Sequence, residues 1–317
     1  MKGMKRRHLI SVLLIAAVLT STTALAQLGG HNFRGDYGLN SGSQPAPGWY
    51  VSLLYFNYDT GTVRNRNGDR IGFDPDQPGS LTAQVISPLV WWVSGKKILG
   101  ANYSFVIAPS FVNSRLAAPV FGLEREAGFD VSDLYIQPIN LGWHTKRADF
   151  SAGVGLFAPI GKYEDGAQDN TGLGMWSFEA FAGTTVHLDE KKSWNLALTA
   201  FWETHSDKKD SDQRVGDILT LEGGLGKAFA QGAINLGLAY FGQWKLSQDD
   251  FGLAVPAGLD IGKHRVFGAG PEVTLPIVAN KKLIALVTAR YVFDFGAKST
   301  TEGDTLVVAL TFPLGGG

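Results

Sequence analysis

The chain has 317 residues, with 28 Lys+Arg against 29 Asp+Glu, 40 Gly, 11% aromatic side chains, 18% charged side chains and no Cys. Near-neutrality without a clustered basic face excludes a nucleic-acid footprint. The lack of Cys excludes disulfides and a lipid anchor through an N-terminal Cys. A charged fraction below the roughly 25% of average domains, with so many glycines, suits a β-rich chain better than a helical one.

Residues 1–26 read MKGMKRRHLISVLLIAAVLTSTTALA. Lys2, Lys5, Arg6 and Arg7 precede the apolar run Leu9–Leu19, and Ala24-Leu25-Ala26 is a small-x-small cleavage site. That order is expected of a Sec-type signal peptide, and the run is too short to span a bilayer comfortably. Removing it takes four basic and no acidic side chains, leaving 24 basic against 29 acidic. No later stretch reaches the 18 apolar residues of a transmembrane helix. Residues 27–47 lack alternation, and Asn40, Ser41, Gln44 and Pro45 belong to a run of turn chemistry. This segment is expected either to enter a barrel as a lumen plug or to remain a periplasmic tail.

From residue 48 to 317 we expect a barrel. Period-2 alternation predicts twelve strands: 49–59, 81–94, 99–112, 131–144, 148–160, 173–188, 193–205, 216–230, 232–246, 264–278, 282–295 and 304–313. They are longer than the about 5–6 residues of a soluble strand and match the about 9–11 needed to cross a membrane at a tilt. Short connections (95–97, 145–147, 189–192, 230–232, 279–281) alternate with long ones (60–80, the stretch through Glu124-Arg125-Glu126, 161–172, 206–215, 247–263, 296–303). Outer-membrane barrels sort their connections in this way, with short periplasmic turns, longer external loops and an even strand number. The expected fold is therefore all-β: a transmembrane up-and-down antiparallel barrel in the outer membrane of a Gram-negative bacterium. Lipid, lipopolysaccharide and the barrel-assembly machinery are the expected surroundings and partners.

The alternation has a direction. In 193–205, Trp194, Leu196, Leu198 and Trp202 oppose Asn195, Thr199 and Glu203. In a membrane barrel the apolar set faces lipid and the polar set faces the lumen. Trp49, Trp91, Trp92, Trp143, Trp176, Trp194 and Trp244 lie near strand ends, as an interfacial girdle would place them. On the polar faces lie Glu179, Asn195, Glu203, Glu222, Gln243, Lys245, Glu272 and Arg290. Charges at membrane depth need water or a partner, so this set predicts either a solute pathway or a Glu–Arg network that fills and stiffens the barrel. Glycines at 153, 155, 224, 226, 268 and 270 read as curvature for closure, with room in the lumen as the other reading. The acidic loop clusters at Asp207, Asp210, Asp212 and at Glu164, Asp165, Asp169 lack the spacing of a calcium loop. No metal or cofactor site is expected. No HExxH or GxSxG occurs, and His205, Ser206 and Asp207 are neighbours in sequence only, so no catalytic residue is expected.

The segments GHNFRGDYGLNSGSQPAPGWYVSLLYFNY, DLYIQPINLGWHTKRADF, GLFAPIGKY, NTGLGMWSFEAFAGTTVHLDEKKSWNL, GAGPEV and EGDTLVVALTFPL together resemble an outer-membrane family. It is named for the meta-pathway of phenol degradation, the MetA-pathway or SphA-like group. The resemblance covers most of residues 27–317 and implies a barrel that carries aromatic or other hydrophobic compounds inward, with no catalytic residues to carry over. The expected function is passive uptake of a small, partly hydrophobic solute. A non-transporting structural or binding envelope barrel is the alternative, and a barrel enzyme the third reading.

Overall fold

The computed structural model describes residues 29–71, 79–118, 123–230, 233–252 and 263–314. The expected signal peptide lies outside these residues. Among them there is no α-helix, and no helix is long and apolar enough to cross a membrane.

Fourteen strands form one antiparallel sheet: β1 Gly48–Thr60, β2 Ser80–Ile98, β3 Ala101–Ala108, β4 Phe111–Ala118, β5 Leu123–Val131, β6 Leu134–His144, β7 Ala148–Ala158, β8 Ser177–His187, β9 Trp194–His205, β10 Ile218–Phe229, β11 Ile234–Lys245, β12 Arg265–Ala279, β13 Lys282–Lys298 and β14 Asp304–Pro313. Neighbours in sequence pair with each other, except that β3 pairs with β2 and β6 while β4 pairs with β2 and β5. β1 pairs both with β2, Tyr50 opposite Trp91, and with β14, Tyr50 opposite Pro313, so the sheet closes on itself. Closure leaves no free edge in lipid along the closed part of the wall. β3 with β4, and β5 with β6, are two strand passes each broken once. Counted as passes, the barrel has twelve strands.

Three local expectations are corrected. Gly95-Lys96-Lys97 is not a turn, because β2 runs through it to Ile98. The turn is Leu99-Gly100, whose φ values of 53° and 81° are those of a two-residue hairpin that matches strand twist. A bulge between Val93 and Lys97 carries the extra residues. The stretch through Glu124-Arg125-Glu126 is not a loop but β5, paired with β4 in a hairpin that extends the wall. Its outward Glu124 pairs with Arg115. Charged outward residues look like a loop when lipid is assumed outside; they suit a strand that has risen above the lipid into water. Finally, 173–176 precedes β8, which begins at Ser177.

The alternation sorts as the inverted pattern requires. In β9, Trp194, Leu196, Leu198 and Trp202 are exposed, while Asn195, Thr199 and Glu203 are buried. Outside, near the short turns, Trp49 faces Trp92 across the β1–β2 pair with ring centroids 6.0 Å apart, and Phe105 lies 5.6 Å from Trp92. Trp91 departs from the girdle: it turns inward and its Nε1 donates to Ser104 Oγ at 3.0 Å. The inner face is not uniformly polar either. Phe56, Tyr58, Val85 and Val307 form an inward apolar cluster on β1, β2 and β14.

Leu238 lies mid-strand on the outer face, 50% exposed. Leu238→Arg should cost about 2–4 kcal/mol in denaturant unfolding from lipid vesicles, and Leu246→Arg, just past the loop end of the same strand, about 0–1 kcal/mol. Equal costs at the two positions would contradict the placement of this wall in lipid.

Candidate functional site

Residues 29–47 form no strand, yet they touch the inner faces of strands on opposite sides of the barrel. Their contacts run from Ser104 on β3 and Asn140 on β6, through Asp149 on β7, to Glu203, Glu222, Glu272 and Arg290 on β9, β10, β12 and β13. A backbone at this depth with no ladder partner would carry unmet N–H and C=O groups, each costly away from water. Carboxylates of the wall accept those N–H groups. Glu203 Oε1 accepts from His31 N at 2.6 Å. Glu222 accepts from Gly35 N at 2.9 Å and Tyr37 N at 2.6 Å. Glu272 Oε2 accepts from Leu39 N at 3.2 Å.

Arg290 serves the carbonyls. Its Nη1 donates to Gly35 O at 2.8 Å and Asp36 O at 2.6 Å, while its Nε pairs with Glu272 Oε2 at 2.7 Å. Two glycines permit this. Gly35 has φ of 80°, in the left-handed region, and a Cβ at Gly38 would overlap the Glu272 carboxylate and the Arg290 guanidinium.

Leu39 is completely buried. It fills a slot floored by Gly224, Gly226 and Gly237, where added Cβ atoms would stand 2.6–3.2 Å from its methyl groups. At these positions the missing side chains make room for the segment, so the curvature reading of Gly224 and Gly226 gives way to the reading of lumen space. Asn195 Nδ2 donates to Leu39 O. Of the expected plug residues, Gln44 is buried and its Nε2 donates to Ser104 Oγ at 2.8 Å; Ser41 Oγ donates to Glu222 O at 3.3 Å. Asn40 is exposed and accepts the Ser43 N–H in a turn, and Pro45 is half-buried.

The eight expected lumen residues are all buried, and five of them form one group. Glu203, Glu222, Glu272, Arg290 and Asn195 grip the segment. Glu179 accepts from the Tyr135 hydroxyl at 2.8 Å. Gln243 and Lys245 lie apart, in the wall of a cavity, where Gln243 Nε2 donates to Thr220 Oγ1 at 3.1 Å and Lys245 Nζ grips Asp249 at 2.5 and 2.7 Å.

His31, Asp133 and Ser177 were not singled out in the sequence. His31 Nε2 lies 2.8 Å from Asp133 Oδ2 and its Nδ1 lies 2.7 Å from Ser177 Oγ, with its ring stacked on Phe157 at 4.6 Å. Asp133 also accepts from Gly161 N and Leu173 N. The trio has hydroxyl, imidazole and carboxylate within reach of one another, but Ser177 is fully buried. The trio fastens segment, wall and the loop 159–176 together. Only proximity in the folded chain joins these residues, 102 and 146 positions apart.

Above residues 29–34, toward the long loops, lies a cavity of about 280 Å³. Phe33, Phe56, Leu81, Val85, Val112 and Leu116 line one side of it. Gln243, Lys245, Asp249 and His264 line the other, and Arg34 also lines it, with its guanidinium over the Tyr58 ring of β1. Nearby, Lys208 on the loop after β9 lies 5.7 Å over the Tyr163 ring, and burial pushes its ammonium down to about 8.

Two outcomes follow. Arg290→Ala leaves Glu272 without its charge partner and two carbonyls without their donor and should cost about 3–5 kcal/mol, seen as a lower unfolding midpoint and faster tryptic cleavage at Arg34. Because Lys208 gives up its proton more readily folded than unfolded, the unfolded chain binds more protons between about pH 8 and its ordinary range near 10.4, so stability should rise across that window. Unfolding midpoints at pH 7 and 9.5 should therefore differ in the native protein and converge in Lys208→Met.

The barrel is similar to an outer-membrane channel from Pseudomonas putida F1, at a TM-score of 0.70 and 15% identity over 89% of this chain and 99% of that one. It is also similar to the β domain of the Bordetella autotransporter BrkA, at 0.51 and 10% over 85% of this chain and 100% of that one. At these identities the likeness establishes the fold. No curated protein matches the sequence. The sequence model of the family described as the MetA-pathway of phenol degradation matches residues 60–310, and the chain belongs to that family.

Proposed function

We propose that the protein is an outer-membrane channel for passive uptake of small, partly hydrophobic compounds, closed at rest by residues 29–47. The observation that carries this reading is the cavity at the long-loop end: it has an apolar, aromatic-bearing wall inside a closed barrel, and its floor is a segment held by side-chain contacts rather than by a strand ladder. Ladder bonds are cooperative along a strand. Contacts from separate carboxylates can be released without opening the wall.

In this reading the outward apolar surface faces lipid and the long loops face lipopolysaccharide. Asn195, Glu203, Glu222, Glu272 and Arg290 hold the closed state and, with Glu179, line the path once the segment moves, while Gln243 and Lys245 stand at its entrance. The filled lumen favours a second reading, a sealed barrel with a purely structural role. The likeness to a channel and the family membership favour passage.

Planar-bilayer conductance separates the two. Deleting residues 29–46 should raise single-channel conductance, and Glu203→Gln with Glu222→Gln should give frequent openings in a full-length chain. Liposome swelling with phenol and benzyl alcohol should follow the same order. Unchanged conductance in folded variants, with no solute entering liposomes, would establish the sealed barrel instead.

A further inference from the structure

The cavity above the segment is amphipathic across its width, and its charge does not match that of the chain. Among the described residues that line it, Arg34, Arg125 and Lys245 are cationic and Asp249 is the one carboxylate. That excess of positive charge sits in a chain whose residues 27–317 carry more acidic than basic groups. Asp249 is already gripped by Lys245 through both oxygens, at 2.5 and 2.7 Å, and it also accepts from Gly216 N.

Two nitrogens on side chains that line the cavity are left over. Arg34 Nη1 is buried with no hydrogen bond, its Nη2 being held by Thr301 Oγ1 at 3.2 Å and lying 3.7 Å from Asp294. His264 is buried, 8% exposed, and its Nε2 has no partner. Buried polar atoms without partners are uncommon and costly. Here both belong to side chains that line one cavity, which also has an apolar wall.

We propose that this cavity binds a small amphipathic monocarboxylate. Arg34 and His264 take the carboxylate, and Phe33, Phe56, Val85 and Leu116 enclose an aromatic or short alkyl body. This inference rests on the channel reading and names its cargo class. The size of the cavity limits the body. A dry cavity of about 150 Å³ holds benzene, so about 280 Å³ accommodates one ring with a short acid arm and excludes a long-chain fatty acid held at full length.

The body meets aromatic rings already arranged as a wall, Phe33 and Phe56 with centroids 4.8 Å apart. The carboxylate meets an Arg whose guanidinium is fixed over the Tyr58 ring at 5.2 Å, so little ordering remains to be done when the ligand arrives. Arg34 belongs to the segment that floors the cavity, and a bound acid therefore touches the element whose movement opens the path.

The test uses the full-length protein in lipid nanodiscs, titrated calorimetrically with phenylacetate and with its neutral isostere phenylacetamide. Phenylacetate should bind about tenfold or more tightly, the scale of one charge-assisted hydrogen bond. In Arg34→Gln and in His264→Leu that preference should shrink, with the affinity for the amide unchanged. Leu116→Trp, filling the apolar side, should weaken both ligands. The heat-modifiable gel shift of a folded barrel confirms that each variant is assembled.

Equal binding of acid and amide overturns the carboxylate claim while leaving the channel reading intact. So does binding of neither ligand while liposomes still take up phenylacetamide. If no solute enters liposomes by any variant, including the deletion of residues 29–46, the channel reading itself has failed.

Discussion

An irregular backbone inside a membrane-spanning wall must have its polar groups satisfied by that wall, and in this protein the satisfaction comes from three carboxylates, one guanidinium and the Asn195 carboxamide. Glu203, Glu222 and Glu272 accept successive N–H groups of residues 31–39, and Arg290 donates to the carbonyls between them. The acidic side chains stand on β9, β10 and β12, spaced around the inner surface as the segment climbs past. Each ionised carboxylate offers about four acceptor sites and no donor, which suits a row of amide donors. This complementarity explains why ionisable groups sit at a depth where charge is costly.

The same constraint shapes the smaller features. Gly38 is small because a carboxylate and a guanidinium close on it from the wall. Gly224, Gly226 and Gly237 are small because Leu39 occupies the space where their side chains would stand. His31 closes the far end of the segment by joining Asp133 and Ser177, and Asp133 in turn holds the loop through Gly161 and Leu173. Segment, wall and one long loop thus share a single polar network.

That floor gives the lumen two unlike halves. Below it the space is taken up by residues 35–45 and their partners. Above it an apolar sector on β1, β2 and β4 faces a polar sector on β11 and the loops beside it. An apolar sector opposite a polar one suits a molecule with two chemically different ends. The uptake reading and the cargo class derive from this asymmetry, which a count of inward polar residues would not reveal.

The architecture was legible in the sequence because a membrane wall imposes a period on every strand. Leu196, Leu198 and Trp202 must meet lipid while Asn195, Thr199 and Glu203 do not, and that alternation survives in the residue order. Loop length likewise records which end faces which compartment. The β4–β5 hairpin escaped because its outward Arg115 and Glu124 obey the rule for water, not for lipid, and the turn at Leu99-Gly100 escaped because a bulge displaced it. The inward set from Glu179 to Arg290 could be named from the alternation alone, but its use could not. Whether Glu222 meets water, an arginine or a backbone amide depends on what threads the barrel. The pairing of His31 with Asp133 and Ser177, the slot for Leu39, and the meeting of Arg34 with His264 join positions far apart in the chain. Sequence by itself determined the barrel and the side each strand residue faces, since both follow from local periodicity. The tertiary structure decided the filling of the lumen, since closure of the sheet alone brings those distant residues together.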